Sequence, residues 1–494
     1  MSSSDTPPPS LYAAQEPIFP RRVKGSFRTL KWWIMAVTLG IYYLVPWIRW
    51  DRGPNLPDQA VLIDLANRRF FFFWIEIWPQ EFYFVAGLLI MAGLGLFLFT
   101  SALGRVWCGY ACPQTVWTDL FILVERWIEG DRNARVRLWH HKWDAHKWRL
   151  RLTKWAVWLL IALATGGAWV FYFTDAPTLA RDLLAFSAHP VAYGTIALLT
   201  FTTFFFGGFA REQICIYACP WPRIQAAMLD EDSLTVAYRE WRGEPRGKHR
   251  KAEDADTLGD CIDCMACVNV CPMGIDIRDG QQMACITCAL CIDACDDVMD
   301  RVGKPRGLIG YLALSDETLE RAGKPPKSIL KHILRPRTLL YTFLWGAVGV
   351  GLVVALFVRG DLDMSLSPIR NPTYVTLSNG DIRNSYDLRL RNMTHEARSF
   401  FLTVENDPSL ELSIENDGAK IVTVPADEQL NQRIYLTAKR GSDRANTERS
   451  TVRIWAAETG GRTRSYADTV FNGHPDDDDT NERHNGNGDE RKDR

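Results

Sequence analysis

Two cysteine runs between Cys261 and Cys295 constrain this chain more than any other feature. Each has the spacing C-x-x-C-x-x-C-x-x-x-C, first in CIDCMACVNVC and again in CITCALCIDAC. This spacing binds a cubic 4Fe–4S cluster, because three closely spaced thiolates close on one face of the cube. Zinc prefers C-x-x-C pairs separated by a longer gap, and disulfide frameworks belong to small secreted domains. The pattern therefore predicts two iron–sulfur sites and a protein that moves electrons.

The spacing also predicts which thiols share a cluster. In two-cluster ferredoxins, the fourth cysteine of each run serves the other cluster. The first thiol set is then Cys261, Cys264, Cys267 and Cys295. The second thiol set is Cys271, Cys285, Cys288 and Cys291. Asp296 and Asp297 follow the second run where Pro272 follows the first, so we expect the two reduction potentials to differ.

Five apolar segments have about the length that crosses a bilayer as a helix. They cover approximately residues 32–48, 82–103, 155–173, 191–209 and 338–358. The chain also contains 19 Trp, a residue that gathers at membrane interfaces. Five such segments with Trp and Tyr near their ends predict a membrane protein.

The distribution of Lys and Arg predicts the orientation of these segments. Both residues are frequent in the N-terminal arm, in residues 105–154 and after Phe209, and rarer in residues 49–81 and 174–190. The N-terminus and the cysteine runs are therefore expected in the cytoplasm. After an odd number of crossings, the C-terminal part is expected outside.

A second cysteine motif is repeated at the inner ends of two apolar segments. CGYACP contains Cys108 and Cys112, and CIYACP contains Cys215 and Cys219. If each stretch is helical, both thiols of a pair lie on one face. These helix-end thiols suit Cu(I), a thiol–disulfide cycle or a further iron–sulfur centre. Single cysteines also pack in helices as small apolar groups, but two matching pairs, each followed by Pro, favour a functional role.

Other titratable residues are weaker candidates. Residues 70–84 are aromatic and are expected to lie at the outer interface, where Glu76 could serve a quinone or a cation. His140, His141 and His146 are interpreted as surface residues of an amphipathic segment on the anionic inner leaflet, with metal or haem binding as the alternative. His189 is a weaker candidate still. Arg301, Lys304 and Arg306 could raise a cluster potential or bind a partner.

The remaining composition predicts a multi-domain membrane protein with five transmembrane α-helices. The expected segments are a disordered arm (1–25), a four-helix membrane region (26–210), a cytoplasmic two-cluster ferredoxin-like domain (211–337), a fifth membrane helix (338–358), an all-β immunoglobulin-like sandwich (361–473) and a disordered acidic tail (474–494). Residues 211–260 link the fourth helix to the cysteine runs, and their charged run WRGEPRGKHRKAEDAD is expected to be a solvated connector. The sandwich lacks Cys and is expected to bind a partner. The net charge of −1 gives no reason to expect nucleic-acid binding, and no nucleotide-binding motif is present.

Taken together, these motifs resemble one known family. The helix ends CGYACP and CIYACP, the double cysteine run and the C-terminal sandwich are similar to the CcoG family, also called FixG or RdxA, of bacterial cytochrome c oxidase accessory proteins. The resemblance extends from about residue 17 to 473, and the Asp after Cys295 is the family's usual form. It implies an inner-membrane protein with a periplasmic C-terminal domain that assists assembly of cbb3-type oxidase. It also implies a proposed cupric reductase activity, with oxidase subunits or copper-handling assembly proteins as partners and an unknown electron donor.

Two other functions are compatible with the same residues. A quinol dehydrogenase module of the NapH or NosR type would also carry helix-end C-x-x-x-C-P pairs and clusters, and would pass electrons to a periplasmic enzyme. The C-terminal sandwich and the absence of C-x-x-C-H haem sites favour an assembly factor instead. A non-redox scaffold with structural clusters is the third alternative.

Overall fold

The computed structural model describes residues 17–53, 56–248, 258–394, 396–405, 407–415 and 420–474. The chain divides into two compact units. The first contains residues 1–50 and 59–353, and the second contains residues 51–58 and 354–494. Residues 475–494 of the predicted acidic tail and the first sixteen residues of the predicted arm lie outside the described residues.

Helices dominate the first unit. Their bounds are Ser26–Leu44 (α1), Tyr83–Leu103 (α2), Val106–Tyr110 (α3), Pro113–Ile128 (α4), Arg132–His140 (α5), Ala145–Val170 (α6), Ala176–Leu184 (α7), Pro190–Phe205 (α8), Trp221–Met228 (α9), Glu240–Gly243 (α10), Ala266–Val270 (α11), Leu290–Val302 (α12), Leu314–Arg321 (α13), Ile329–Ile333 (α14) and Pro336–Val358 (α15). Two widened helical turns, Phe206–Ala210 and Ile214–Ala218, follow α8.

Among the described residues, four helices are long and apolar enough to cross a membrane. They are Pro79–Leu103, Ala145–Val170, Pro190–Ala210 and Pro336–Val358. These helices contain most of the second to fifth predicted segments. The third segment begins about ten residues earlier than predicted, because the Asp144 carboxylate accepts a hydrogen bond from the Lys147 amide at 2.7 Å and caps the helix there.

The first predicted segment forms α1 but is not one of these four helices. Its buried face carries Arg28 and Lys31, which lower its mean hydropathy. The opposite face is an exposed apolar stripe with helical spacing. The stripe consists of Leu30, Trp33, Val37, Ile41 and Leu44. A fifth crossing therefore remains a prediction.

Residues 17–25 contradict the prediction of a disordered arm over this stretch. The Arg21 amide donates to the Asn269 carbonyl at 2.7 Å, and the Arg22 amide donates to Asp131 at 3.0 Å. Arg132 donates to the Phe19 carbonyl at 2.9 Å. These hydrogen bonds tie the described part of the arm to the iron–sulfur region and to α5.

The aromatic stretch after α1 forms a three-stranded antiparallel sheet, Val61–Asp64 (β1), Arg69–Phe72 (β2) and Ile75–Ile77 (β3). Glu76 is buried and pairs with Arg69 at 3.2 Å. Glu81 accepts a hydrogen bond from the Trp78 amide at 3.1 Å, just before α2. Both carboxylates therefore have structural partners.

The segment between α8 and the cysteine runs is more than the solvated connector that we predicted. Thr235–Tyr238 (β4) pairs antiparallel with Ile309–Leu312 (β5). Val236 and Tyr238 are buried in the same apolar cluster as Cys261 and Cys295. The apolar side chains of this short strand need a partner, and the strand after the second cysteine run supplies one. Residues 249–257 of the segment lie outside the described residues.

The second unit is an antiparallel sandwich. Its described strands are Leu362–Pro368 (β6), Val375–Thr376 (β7), Ile382–Asn392 (β8), Arg398–Val404 (β9), Leu410–Ile414 (β10), Ile421–Val424 (β11), Gln429–Ala438 (β12), Arg449–Glu458 (β13) and Arg464–Asn472 (β14). One sheet has the order β10-β12-β8-β6, with β7 also paired to β8, and the other has the order β11-β9-β13-β14. Alternate residues such as Leu388, Leu402 and Ile434 are fully buried between the sheets. The apolar residues that alternate with polar ones in the sequence thus form the core of the sandwich.

Candidate metal centres

The first thiol set surrounds one cavity of the first unit. All four of its members, Cys261, Cys264, Cys267 and Cys295, line this cavity together with apolar side chains such as Met299. Cys264 is exposed, whereas the other three are buried. The structure therefore brings together the four cysteines that the spacing rule combines.

The second thiol set surrounds a neighbouring cavity. Cys271, Cys285, Cys288 and Cys291 line it, again with apolar neighbours such as Val236 and Ile277. Cys267 of the first set borders this cavity as well as its own. Because one residue borders both cavities, the two sites are adjacent, as electron transfer between them would need.

The backbone repeats the same conformation around both sets. Asp263 and Met265 have positive φ values of 50° and 58°. Thr287 and Ala289, at the same positions of the second run, have φ values of 54° and 59°. Left-handed residues turn the chain sharply, so successive thiols of each run face one cavity rather than following an extended path. α11 and α12 then begin and carry the next cysteines.

These donor sets fit 4Fe–4S clusters. Burial raises the pKa of Cys267 to about 11 and the pKa values of Cys271 and Cys295 to about 12. Thiols in such surroundings stay protonated until a metal displaces the proton. Four cysteines around an apolar cavity are the ligands that a cubic cluster takes. Each site therefore has the donors that a cluster needs.

The charged residues after the second run are paired within the domain. Asp296 accepts a hydrogen bond from the Gly307 amide at 2.9 Å, and Asp297 pairs with Arg301. Arg306 pairs with Asp300 at 2.6 Å, and Lys304 pairs with Asp260 at 2.9 Å. The cations considered above as partner-binding residues therefore have carboxylate partners in the same domain.

If each stretch were one continuous helix, both thiols of a pair would lie on one face. The structure contradicts this expectation, because neither pair of helix-end thiols lies on a continuous helix. α2 ends at Leu103, and Gly104 has a φ of 63°. The widened turn after α8 ends at Ala210, and Arg211 has a φ of 39°. These left-handed residues each lie four positions before the first cysteine of a pair and break the helix there.

The two pairs nevertheless repeat one local structure. Cys108 lies in α3, and Cys215 lies in the widened turn Ile214–Ala218. Cys112 and Cys219 are both extended, with ψ values of 130° and 125°, as the following proline requires. The sequence repeat is therefore also a backbone repeat.

All four helix-end thiols come close together. Burial, together with the neighbouring thiols of Cys112, Cys108 and Cys219, raises the pKa of Cys215 to about 12. Burial also raises the pKa of Cys108. The Cys108 thiol donates a hydrogen bond to the Gln225 side-chain oxygen at 3.1 Å. Two pairs that are about 100 residues apart in sequence thus form one group of thiols.

This group lies against the second thiol set. Cys108 and Cys215 pack on the apolar cluster that contains Cys288. A Cβ added at Gly109 would lie only 2.7 Å from the Ile286 carbonyl oxygen. The Tyr110 hydroxyl donates to the Cys288 carbonyl at 3.1 Å. Because glycine has no Cβ, Gly109 lets α3 come this close to Ile286. α3 therefore holds Cys108 directly beside the second cluster site.

Sequence reasoning missed Arg105, which connects the two groups. Its guanidinium donates to the Met283 carbonyl, two residues before the second run, and partly offsets the rise that burial causes in the pKa of Cys108 and of Cys285. The signal available in the sequence was a lone cation directly after an apolar helix. Its partner could not be read from the sequence, because Arg105 and Met283 are far apart along the chain.

The histidines do not join these sites. His140, His141 and His146 are exposed, as the surface interpretation requires. His189 caps α8, accepting a hydrogen bond from the Val191 amide at 3.3 Å. Across the described ranges, no three or more His, Cys, Asp or Glu side chains gather where a single metal ion could bind. The helix-end thiols are included in that statement.

Three family models match the chain. A 4Fe–4S dicluster domain matches residues 210–314, and a 4Fe–4S binding domain matches residues 84–131. The third model, an IG-like fold at the C-terminus of FixG, matches residues 352–474. The dicluster model covers both thiol sets and also Cys215 and Cys219. The 4Fe–4S binding model covers Cys108 and Cys112.

Three curated relatives match nearly the whole chain. Protein RdxB of Cereibacter sphaeroides is 69% identical, covering 96% of this chain and 99% of the relative. The chain belongs to the CcoG/FixG/RdxA family. RdxA of the same organism is 66% identical over 91% of this chain and 95% of its own length. The nitrogen fixation protein FixG of Rhizobium meliloti is 54% identical over 87% of this chain and 88% of its own length.

Proposed function

We propose that this CcoG/FixG/RdxA family member is a membrane-bound electron-transfer protein that reduces Cu(II) to Cu(I) for assembly of a cbb3-type cytochrome c oxidase. The observation that carries the proposal is the position of the helix-end thiols. Four half-buried cysteines lie near one another, and two of them pack against the apolar cluster that contains Cys288 of the second thiol set. A group of soft ligands beside an electron-carrying site can hold the product of a one-electron reduction.

The cysteines of both thiol sets would hold the clusters, which supply single electrons, so that one electron converts one Cu(II) into Cu(I). Cys267 borders both cavities and would bridge the path between them. The apolar residues around the cavities, such as Ile277 and Leu308, would exclude water from the thiolates. This apolar shell protects the clusters from hydrolysis and from unwanted oxidants.

The helix-end thiols would receive the copper. Cu(I) accepts as few as two sulfur ligands, so two of the four thiols, for example Cys108 and Cys215, would be enough to hold it. Copper binding has to displace thiol protons, and the proton of Cys108 is held in a hydrogen bond to the Gln225 side-chain oxygen. Arg105 favours the thiolate form of Cys108 and lies on the side of the second cluster.

The proposal puts the clusters in the cytoplasm and the sandwich in the periplasm. Its support is the excess of Lys and Arg in residues 105–154 and after Phe209. The sandwich would bind an oxidase subunit or a copper-handling partner. Its four-stranded sheet has exposed apolar residues, among them Phe401 and Ile421, which are register partners on neighbouring strands, and Tyr466 on the edge strand β14. An exposed apolar patch of this kind is typical of a binding surface.

The test compares two kinds of Cys→Ser variant in full-length, anaerobically purified protein. Dithionite-reduced protein freed of excess reductant is mixed with Cu(II), and cluster absorbance is followed with Cu(I) capture by a chelator. We expect one Cu(I) for each electron lost from the clusters. Cys108→Ser combined with Cys215→Ser should abolish tight copper binding and keep full iron content. Cys264→Ser, the matched control, should lose iron and keep copper binding.

Two outcomes would overturn the proposal. If the helix-end variants lose iron, these thiols ligate a cluster instead of copper. If reduced clusters persist beside Cu(II) but reoxidise with a quinone analogue, the protein exchanges electrons with quinone and copper is not its acceptor.

A further inference from the structure

A second functional candidate is a cavity of about 540 Å³ at the beginning of α6, outside the thiol sites. Its walls come from the described arm, α4, α5, α6 and the turn after α8. The volume lies in the range of ordinary small-molecule sites. The copper proposal does not use this cavity.

One face of α6 lines the cavity with cations. Lys147, Arg151 and Lys154 follow one another at spacings of four and three, which places them on one side of the helix. Their exposed fractions are only 4%, 8% and 2%. Arg211, which follows the widened turn after α8, adds a fourth cation to the lining. Buried cations of this number are unusual and need counter-charges.

The carboxylates around the cavity are too few to balance these cations. Glu125 pairs with Lys154 at 3.4 Å and with Arg211 and Arg135, and Glu129 pairs with Lys154 at 2.9 Å and with Arg151 at 3.1 Å. Glu212 is the third carboxylate. Counting the described lining residues and their ion-pair partners, five cations face three carboxylates.

Lys147 shows the imbalance directly. The Lys147 ammonium donates to the carbonyl oxygens of Trp139 at 3.0 Å and His141 at 2.6 Å, and it has no carboxylate within 4.0 Å among the described residues. Burying a charge without a counter-charge is costly, so the cavity is suited to an anion.

The remaining walls are aromatic. Lys147 lies over the Trp143 ring at 4.9 Å, and Lys154 lies over the Trp158 ring at 4.7 Å. Phe19 of the arm contacts Trp139, with 6.1 Å between ring centres. Because α6 is long and apolar enough to cross a membrane, its first turns lie at the level of the lipid headgroups. Basic pockets at this level bind anionic headgroups.

We propose that this cavity binds the phosphate headgroup of an anionic membrane phospholipid. Lys147 and Arg151 would face the phosphate, and the Trp side chains would contact the glycerol and the first acyl carbons. The lipid would thereby hold the arm, α5 and α6 together beside the turn that leads into Cys215. This inference does not depend on copper reduction.

The test counts lipids bound to the delipidated full-length protein by native mass spectrometry. The probes are phosphatidylglycerol, phosphatidylcholine and inorganic phosphate. Lys147→Gln removes a charge without leaving a carboxylate unpaired, and Arg151→Gln leaves Glu129 paired with Lys154. Lys142→Gln is the matched control, because Lys142 is exposed and outside the cavity lining.

We expect one saturable phosphatidylglycerol site that discriminates against phosphatidylcholine. Each cavity variant should weaken it by about fivefold, and the control should leave it unchanged. Equal binding of the two lipids would overturn the proposal, because phosphatidylcholine has no net charge and cannot compensate the excess of cations. Equal loss in Lys142→Gln would overturn it as well. Displacement of the lipid by millimolar inorganic phosphate would show a site for the free anion instead.

Discussion

Glu125 is the central carboxylate of an ion network that joins α4, α5, α6 and the turn after α8, and its replacement by Gln should strongly destabilise the first unit. The residue is 3% exposed and touches the side-chain cations of Arg135, Lys154 and Arg211. Gln preserves the shape but removes the charge. Of these three cations, only Lys154 would then keep a carboxylate within 4.0 Å among the described residues, Glu129 at 2.9 Å.

The expected magnitude follows from the ionisation of Glu125. Burial alone would raise its pKa, but Arg211, Arg135 and Lys154 lower it from 4.5 to about 2. A pKa that is lower in the folded chain stabilises the fold above the unfolded value, here by about 3 kcal/mol. This contribution is complete above about pH 5 and is lost as the pH falls toward 2. Removing one partner of a buried ion pair costs a similar amount, about 3–5 kcal/mol.

Thermal unfolding in detergent at pH 7 and at pH 4 measures this effect. Glu125→Gln should lower the apparent melting temperature by roughly 6 °C or more at pH 7, and the difference from the wild type should shrink at lower pH. Glu240→Gln is the control, because that carboxylate is exposed and its only ion-pair partner within the described residues, Arg321, is 3.9 Å away. A Glu125→Gln protein that melts within 2 °C of the wild type at pH 7 would refute the reasoning.

Two further predictions concern the contacts of the iron–sulfur region. Gly109→Ala should push α3 away from the second thiol set, because its Cβ meets the Ile286 carbonyl, and the electron paramagnetic resonance signal of one reduced cluster should change. Gly40→Ala, where nothing lies within 4 Å, should leave both signals unchanged, and identical spectra for the two variants would contradict the contact. Asp293→Asn should cost about 1 kcal/mol, because its carboxylate accepts hydrogen bonds from the Phe27 and Arg28 amides at the start of α1. Asp297→Asn, on an exposed ion pair, should be nearly neutral in chemical denaturation, and equal losses would contradict the helix-end role.

Local spacing in the sequence was enough to predict both thiol sets and the sandwich strands. Three cysteines of each set are separated by two residues, so chain geometry limits where they can lie. The alternation around Leu388 and Ile434 predicts inward residues for the same reason, because side chains of a strand point to opposite faces in turn.

Contacts between distant segments could not be predicted in this way. The sequence shows that the pairs Cys108/Cys112 and Cys215/Cys219 are similar, but similarity does not determine distance. Their meeting depends on helix breaks at Gly104 and Arg211 and on the missing side chain at Gly109. The same holds for β4, whose partner strand lies beyond both cysteine runs.

The sequence by itself therefore determined the ligand chemistry, the apolar segments and the strand pattern, because each depends on residues that are neighbours along the chain. Only the tertiary structure decided that the helix-end thiols form one group beside the second cluster site, and that an excess of buried cations surrounds the cavity at α6. Those features depend on the packing of helices that are far apart in sequence. The missing Cβ at Gly109 permits the close contact, and the carboxylates around the cavity are fewer than the cations.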